Sequence, residues 1–183
     1  MSKVLIIIST GFEEIEAISI IDILRRANIE VVIATINDLL TVGANGIVVQ
    51  ANQKLEELDI SLFDMIVLPG GALNTQNLAE SEEVKAALQK MKKENKYIAA
   101  ICAAPYTLHE AKVLNSTYTC YPSFEKKIDS ATYDSQNEVV IDKKVITSQG
   151  PATAMQFSLE LVKILTNEET FLNVKNGLLV KHF

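Results

Sequence analysis

Reactive side chains are scarce in this chain of 183 residues, which holds only two histidines, two cysteines and seven glycines. No group of His, Cys, Asp and Glu has metal-ligand spacing, and no glycine-rich phosphate loop is present, so neither a metal nor a cofactor is expected. The longest unbroken apolar run, Tyr97 to Ala104, falls far short of the roughly 20 residues that a membrane-spanning helix needs. The N-terminal run Val4 to Ile8 lacks a signal-peptide cleavage site, so a cytoplasmic location with no membrane partner is expected. A formal net charge of −6 disfavours nucleic acid, and the one clustered cationic stretch, Lys90 to Lys93, reads as a helix C-terminus. Without an export signal, Cys102 and Cys120 are expected to be reduced thiols rather than a disulfide.

With 48% apolar residues the chain can bury one substantial core. No repeat, linker or low-complexity segment divides it, and one domain over residues 1–183 is expected. Short β-branched runs recur at Val4 to Ile8, Val31 to Ala34, Met65 to Leu68, Tyr97 to Ile101 and Val145 to Thr147. Helical patterns mostly lie between them. Unbroken apolar strands alternating with helices predict an α/β, doubly wound, mostly parallel sheet covered on both faces. Asn45-Gly46, between Leu39 to Val42 and Ile47 to Val49, predicts a small hairpin added to that sheet. Ser81 is placed to cap a helix with Glu82 and Glu83 in its first turn and Lys92 and Lys93 in its last, and Pro151 opens another running to about Thr166.

In such a sheet, ligands bind beyond the carboxyl ends of the strands. Four segments follow strands there: Thr10 to Glu16, Pro69-Gly70-Gly71, Cys102-Ala103-Ala104-Pro105 and Ser148-Gln149-Gly150-Pro151. Cys102 ends a strand, and Pro105 suits the first turn of a helix, so the thiol is placed at a strand-to-helix elbow whose amides and dipole favour thiolate. The competing reading is a small buried residue that merely continues the apolar run. Glu16 tips the balance. On a helical wheel of residues 13 to 27 it falls between Ile23 and Ala27, inside the apolar arc holding Ile20 and Leu24, where desolvation raises a carboxyl's pKa. Glu13 and Glu14 are read as ordinary complements to the helix dipole. Pro69-Gly70-Gly71 offers a turn whose N–H groups can approach an oxyanion. Cys120 is read as structural. His109 lies two helical turns beyond Cys102 and His182 near the C-terminus, so no cysteine–histidine dyad is evident.

Gly11-Phe12-Glu13-Glu14-Ile15-Glu16, Leu68-Pro69-Gly70-Gly71, Ile98-Ala99-Ala100-Ile101-Cys102-Ala103-Ala104-Pro105 and Thr147-Ser148-Gln149-Gly150-Pro151 resemble the ThiJ/PfpI superfamily nearly end to end. Within it they are similar to the branch containing the Parkinson-associated protein deglycase and bacterial YajL. The resemblance implies a flavodoxin-like fold, a homodimer, a nucleophile at Cys102, a partner carboxyl at Glu16, and N–H groups of Gly71 and Ala103 facing substrate or oxidised sulfur. It implies cofactor-free, stress-protective action on glyoxal or methylglyoxal, or on glycated proteins and nucleotides, of the glyoxalase or deglycase type. The alternatives are chaperone action and peroxide sensing through a Cys102 sulfinate. Two positions depart from the Parkinson-associated protein: Tyr121, before Pro122, replaces a histidine that offers a proton shuttle, and Gln149 replaces an arginine. Ala103 after the cysteine, in place of histidine, and the lack of a late His-x-Glu pair disfavour a peptidase or an amidotransferase.

Overall fold

The apolar runs become strands because each is buried on both faces, so alternating side chains all find a core. The computed structural model describes residues 1–181. Its strands are β1 Lys3–Ile8, β2 Glu30–Thr35, β3 Leu40–Val42, β4 Val48–Gln50, β5 Gln53–Lys54, β6 Met65–Leu68, β7 Tyr97–Ile101, β8 Thr117–Tyr118, β9 Thr132–Tyr133, β10 Val139–Asp142 and β11 Val145–Ser148. The helices are α1 Glu14–Arg26, α2 Ala72–Glu80, α3 Glu82–Lys93, α4 Pro105–Glu110, α5 Ala154–Leu165 and α6 Glu168–Gly177. Among the described residues no helix is long and apolar enough to cross a membrane.

Seven strands form the central sheet in the order β10-β11-β7-β6-β1-β2-β5, with every pairing parallel except β10 with β11. Period-two alternation divides its core cleanly. Val4, Ile6, Ile8, Met65, Val67, Ala99 and Ile101 face the side packed by α1, α5 and α6. Leu5, Ile7, Ile66, Leu68, Ile98 and Ala100 face the side packed by α2, α3 and α4. Fully burying an isoleucine or leucine contributes about 1.5–3 kcal/mol, so the strands and the helix faces packed on them together carry most of the stability.

Local signals behave as their chemistry requires. Ser81 Oγ accepts from Val84 N–H at 3.3 Å, with Glu82 and Glu83 in the first turn of α3 and Lys90, Lys92 and Lys93 in its last. Pro105 opens α4, and Pro151 opens a 3₁₀ turn leading into α5. The hairpin forms around Asn45-Gly46 but does not extend the central sheet. Among the described residues β3 and β4 pair only with each other, and the ladder docks on the β1–α1 turn through Gly11 N–H to Val42 O (2.8 Å) and Ala44 N–H to Phe12 O (2.8 Å). The reason is Glu14, which is 4% exposed. Its carboxylate accepts from Asn45 N–H at 2.6 Å, Asn45 Nδ2 at 2.9 Å and Ile47 N–H at 3.3 Å, so it holds the hairpin turn against α1.

Candidate active site

Because β1, β6, β7 and β11 run parallel, the four segments after them meet at one end of the sheet. Cys102 makes the turn out of β7 in the left-handed region, at φ +66°. For a non-glycine residue that conformation costs on the order of 1–2 kcal/mol and is held by the surroundings. Cys102 N–H donates to Ser148 O at 2.9 Å, and its carbonyl accepts from Tyr121 N–H at 2.8 Å. The elbow turns the thiol towards Glu16 and leaves the residue 8% exposed, inside the core cluster. Backbone N–H groups of Ala103 and Gly71 hydrogen-bond to the sulfur.

Glu16 has no exposure at all. Glu13 caps α1, its Oε2 accepting from Glu16 N–H at 2.8 Å, and so fixes the first turn from which Glu16 projects inward. One oxygen of Glu16 accepts from Gly70 N–H at 2.7 Å. The carboxyl and the Cys102 thiol shift each other's proton affinity, and Oε1 has no hydrogen-bond partner among the described residues. Gly70 is the tight point of the site. A Cβ there would lie 2.6 Å from Cys102 Cβ and 2.7 Å from Glu16 Oε2, so only glycine lets the strand turn pass between thiol and carboxyl. At Gly71, φ is +94° and a Cβ would strike Gly11 O at 2.1 Å, so the second glycine is equally constrained. Asn74, fully buried, braces the turn: its amide donates to Pro69 O (2.9 Å) and Gly70 O (3.0 Å), and its Oδ1 accepts from Ser9 N–H (2.7 Å).

Electrostatics at the pair overturn one expectation. Burial raises the Glu16 pKa to about 7; the Gly70 N–H and Cys102 oppose the rise, and the Glu13 charge adds to it. Burial also pushes the Cys102 thiol up, and the Glu16 charge pushes it further, outweighing the Ala103 and Gly71 N–H groups. The elbow therefore does not by itself favour thiolate. The helix behind it, α4, has only six residues, and a short helix adds little field to its first amides. Thiol and carboxyl compete for one proton, and the order of their shifts leaves it on sulfur with Glu16 ionised above neutral pH.

The remaining sequence candidates lie elsewhere. Cys120 is buried with its Sγ–H donating to Tyr121 O at 3.4 Å, and burial, then Glu125, raise its pKa to about 12, as suits a packing residue. His109 Nδ1 lies 2.8 Å from Ser130 Oγ at the far end of α4. His182 falls outside the described residues. Tyr121, in the position noted above, is 47% exposed beside Gly150, and Gln149 donates to Ser135 O and Asn137 O, out in a loop. Sequence reasoning missed Gly70 as the contact of Glu16, and it missed Asn74 and Glu14. The only local sign of the first two was a polar residue closely following a Pro-Gly-Gly turn. Among the described residues no three His, Cys, Asp or Glu side chains converge to hold a metal ion.

Counting only the five inner parallel strands, the order is 2-1-3-4-5, with helices on both faces. This is a flavodoxin-like α/β protein, and Glu16 and Gly70 follow the two strands flanking the point where the strand order reverses. The chain belongs to the DJ-1/PfpI family, whose model matches residues 2–164. It is 36% identical to protein dj-1beta of Drosophila melanogaster over 186 residues, covering 100% of both chains. It is 34% identical to protein DJ-1 homolog B of Arabidopsis thaliana, covering 98% of this chain and 42% of the relative, so it spans less than half of that protein. A third relative, 29% identical over 93% of this chain and 95% of its own, is the glutathione-independent glyoxalase DJ-1 of Schizosaccharomyces pombe. Among solved structures, Drosophila melanogaster DJ-1beta superimposes with a TM-score of 0.96 at 34% identity over the full length of both chains. Oxidized Toxoplasma gondii DJ-1 superimposes with a TM-score of 0.93 at 33% identity, also over both full lengths.

Proposed function

We propose that this chain is a cofactor-free, cysteine-dependent enzyme that converts glyoxal or methylglyoxal, or their adducts on proteins and nucleotides, to hydroxy acids. The observation that carries the reading is the meeting of a buried thiol, a buried carboxyl of raised pKa and two backbone N–H groups at one sulfur. Glu16 takes the thiol proton as Sγ of Cys102 bonds to the aldehyde carbon, and the Gly71 and Ala103 N–H groups stabilise the oxyanion, which is then protonated to a hemithioacetal. Glu16 next carries the proton from that carbon to the neighbouring carbonyl carbon, while the hemithioacetal hydroxyl proton passes to the ketone oxygen, so the former aldehyde becomes a thioester and the former ketone an alcohol. Water cleaves the thioester, releasing the hydroxy acid and restoring the thiol. The name of the Schizosaccharomyces pombe relative supports this class of chemistry. A Glu16→Gln variant, which lacks the base for both proton transfers, is expected to form the Cys102 adduct with methylglyoxal more slowly than wild type, seen by intact mass, and to release no lactate. Full lactate production by that variant would remove Glu16 from the mechanism.

The proposed enzyme is a cytoplasmic homodimer. Ile15 and Ile18 on α1 and Leu40, Val42 and Val48 on the hairpin beside it are 42–64% exposed, an apolar surface suited to a second copy. Sedimentation showing a clean monomer would remove the dimer from this reading.

One observation favours a second role, oxidative-stress sensing. The two N–H groups at Cys102 Sγ would equally hold the oxygens of a sulfinate, and a 33% identical relative has been solved oxidized. Two equivalents of hydrogen peroxide convert the thiol to sulfinic acid with release of two waters. Mild peroxide treatment followed by peptide mapping tests it: a two-oxygen increment on Cys102 is expected, and its absence would leave catalysis alone.

A further inference from the structure

Between α2, α4 and the 3₁₀ turn at Phe124–Lys127 lies a cavity of about 500 Å³ whose lining includes Thr75, Glu80, Tyr106, Glu110, Phe124 and Lys127. Its size is that of a small-molecule site. Thr75 is 1% exposed, yet its Oγ1 has no hydrogen-bond partner among the described residues. A buried hydroxyl in a cavity wall, left without a partner, gains one when the wall opens to a ligand that fills the cavity.

Charge and rings say what the ligand is. Glu80 extends from the end of α2 and Glu110 from the end of α4, and both carboxylates act on the Tyr106 hydroxyl, whose pKa is raised by burial, then by Glu110 and Glu80. Glu80 also accepts from Gln76 Nε2 at 3.0 Å, and Glu110 Oε1 lies 3.9 Å from His109 Nε2. Both glutamates are solvent-exposed, which leaves them free to meet an incoming cation. The protein already seats one ammonium here: Lys127 Nζ sits 4.9 Å from the Phe124 ring centroid and 5.7 Å from that of Tyr106. Lys127 is exposed and projects from a 3₁₀ turn, so it can yield its place to another cation at little cost.

We propose that this cavity is a binding site for an alkyl chain ending in a primary ammonium, with the ammonium over Tyr106 and Phe124 and between Glu80 and Glu110, and with Thr75 bonding the other end. That chemistry can come from a free diamine or from a lysine side chain. Along α2 the rise from Thr75 to Glu80 is about 7 Å, close to the span of a five-carbon diamine or of a lysine side chain.

The test is titration of the full chain with 1,5-diaminopentane and, separately, with Nα-acetyl-lysine N-methylamide, followed by amide NMR shifts, with pentanol as the uncharged control. Saturable binding of at least one ammonium probe, with shifts centred on Thr75, Tyr106 and Glu110 and none from pentanol, is expected. The probe that binds identifies the source. The Glu80→Gln/Glu110→Gln double variant should weaken binding about tenfold or more, and Lys127→Met, which removes the resident ammonium, should tighten it several-fold. Both changes lie on exposed side chains, and an unchanged amide spectrum elsewhere confirms folding. Failure of both probes to saturate, equal binding of pentanol, or binding indifferent to the double variant would overturn the proposal.

Discussion

Replacing Glu16 by glutamine should make the protein more stable while disabling it, and the gain should follow pH. A shift of the Glu16 pKa from 4.5 to about 7 on folding corresponds to about 3 kcal/mol. The sign follows from the direction of the shift. Folded protein binds this proton more tightly than unfolded chain does, so the contribution is fully present below 4.5 and is lost as pH climbs through about 7. Above that, wild type carries an ionised carboxylate with no exposure to water. Glutamine keeps an acceptor for Gly70 N–H and can donate to the sulfur, but does not ionise. The stability difference between variant and wild type should therefore be small near pH 4.5 and grow to as much as about 3 kcal/mol in favour of the variant by pH 8. For a chain of this size that amounts to roughly 6–12 °C in Tm. Urea unfolding of both proteins at matched pH values between 4.5 and 8, followed by circular dichroism, measures it. A difference that stays constant over this range would refute the reasoning, because it would mean that Glu16 does not change its proton affinity on folding.

Turnover of methylglyoxal should rise with pH through about 7, as Glu16 ionises to the form that accepts the thiol proton; a pH–rate profile falling over that interval would assign Glu16 the opposite role. Gly70→Ala places a methyl group 2.6 Å from Cys102 Cβ and 2.7 Å from Glu16 Oε2, so activity should fall about 100-fold and stability by about 1–3 kcal/mol, read by steady-state kinetics and urea unfolding. Glu14→Ala strips the hairpin turn of three hydrogen bonds to a buried carboxylate and should cost about 3 kcal/mol, with increased amide exchange confined to residues 40–50. Unchanged exchange there would show that the hairpin holds itself.

The strands could be read directly because parallel strands buried on both faces spell continuous apolar runs, and Tyr97–Ile101 and Met65–Leu68 fall where those runs do. Pro105, Pro151 and Ser81 marked helix starts for the same local reasons that operate in the structure. Glu16 was visible because a carboxylate in an apolar arc violates the local pattern, and such violations concentrate at working sites. Glu14 escaped notice because its partners, Asn45 and Ile47, lie more than thirty positions away, and nothing near it in sequence sets it apart from Glu13. The thiol's proton affinity was misjudged for a related reason. The helix behind Cys102 could be seen, but not its shortness or the depth at which the sulfur is buried beside Glu16.

The account rests on Cys102 acting as a nucleophile without help from a cofactor or a second thiol. Lactate formation from methylglyoxal, followed by NMR with no added thiol, metal or cofactor, tests this most directly when wild type is compared with Cys102→Ser. Steady production by wild type and none above background by the variant is predicted; no lactate from folded wild-type protein, or equal rates from both, would contradict the central claim.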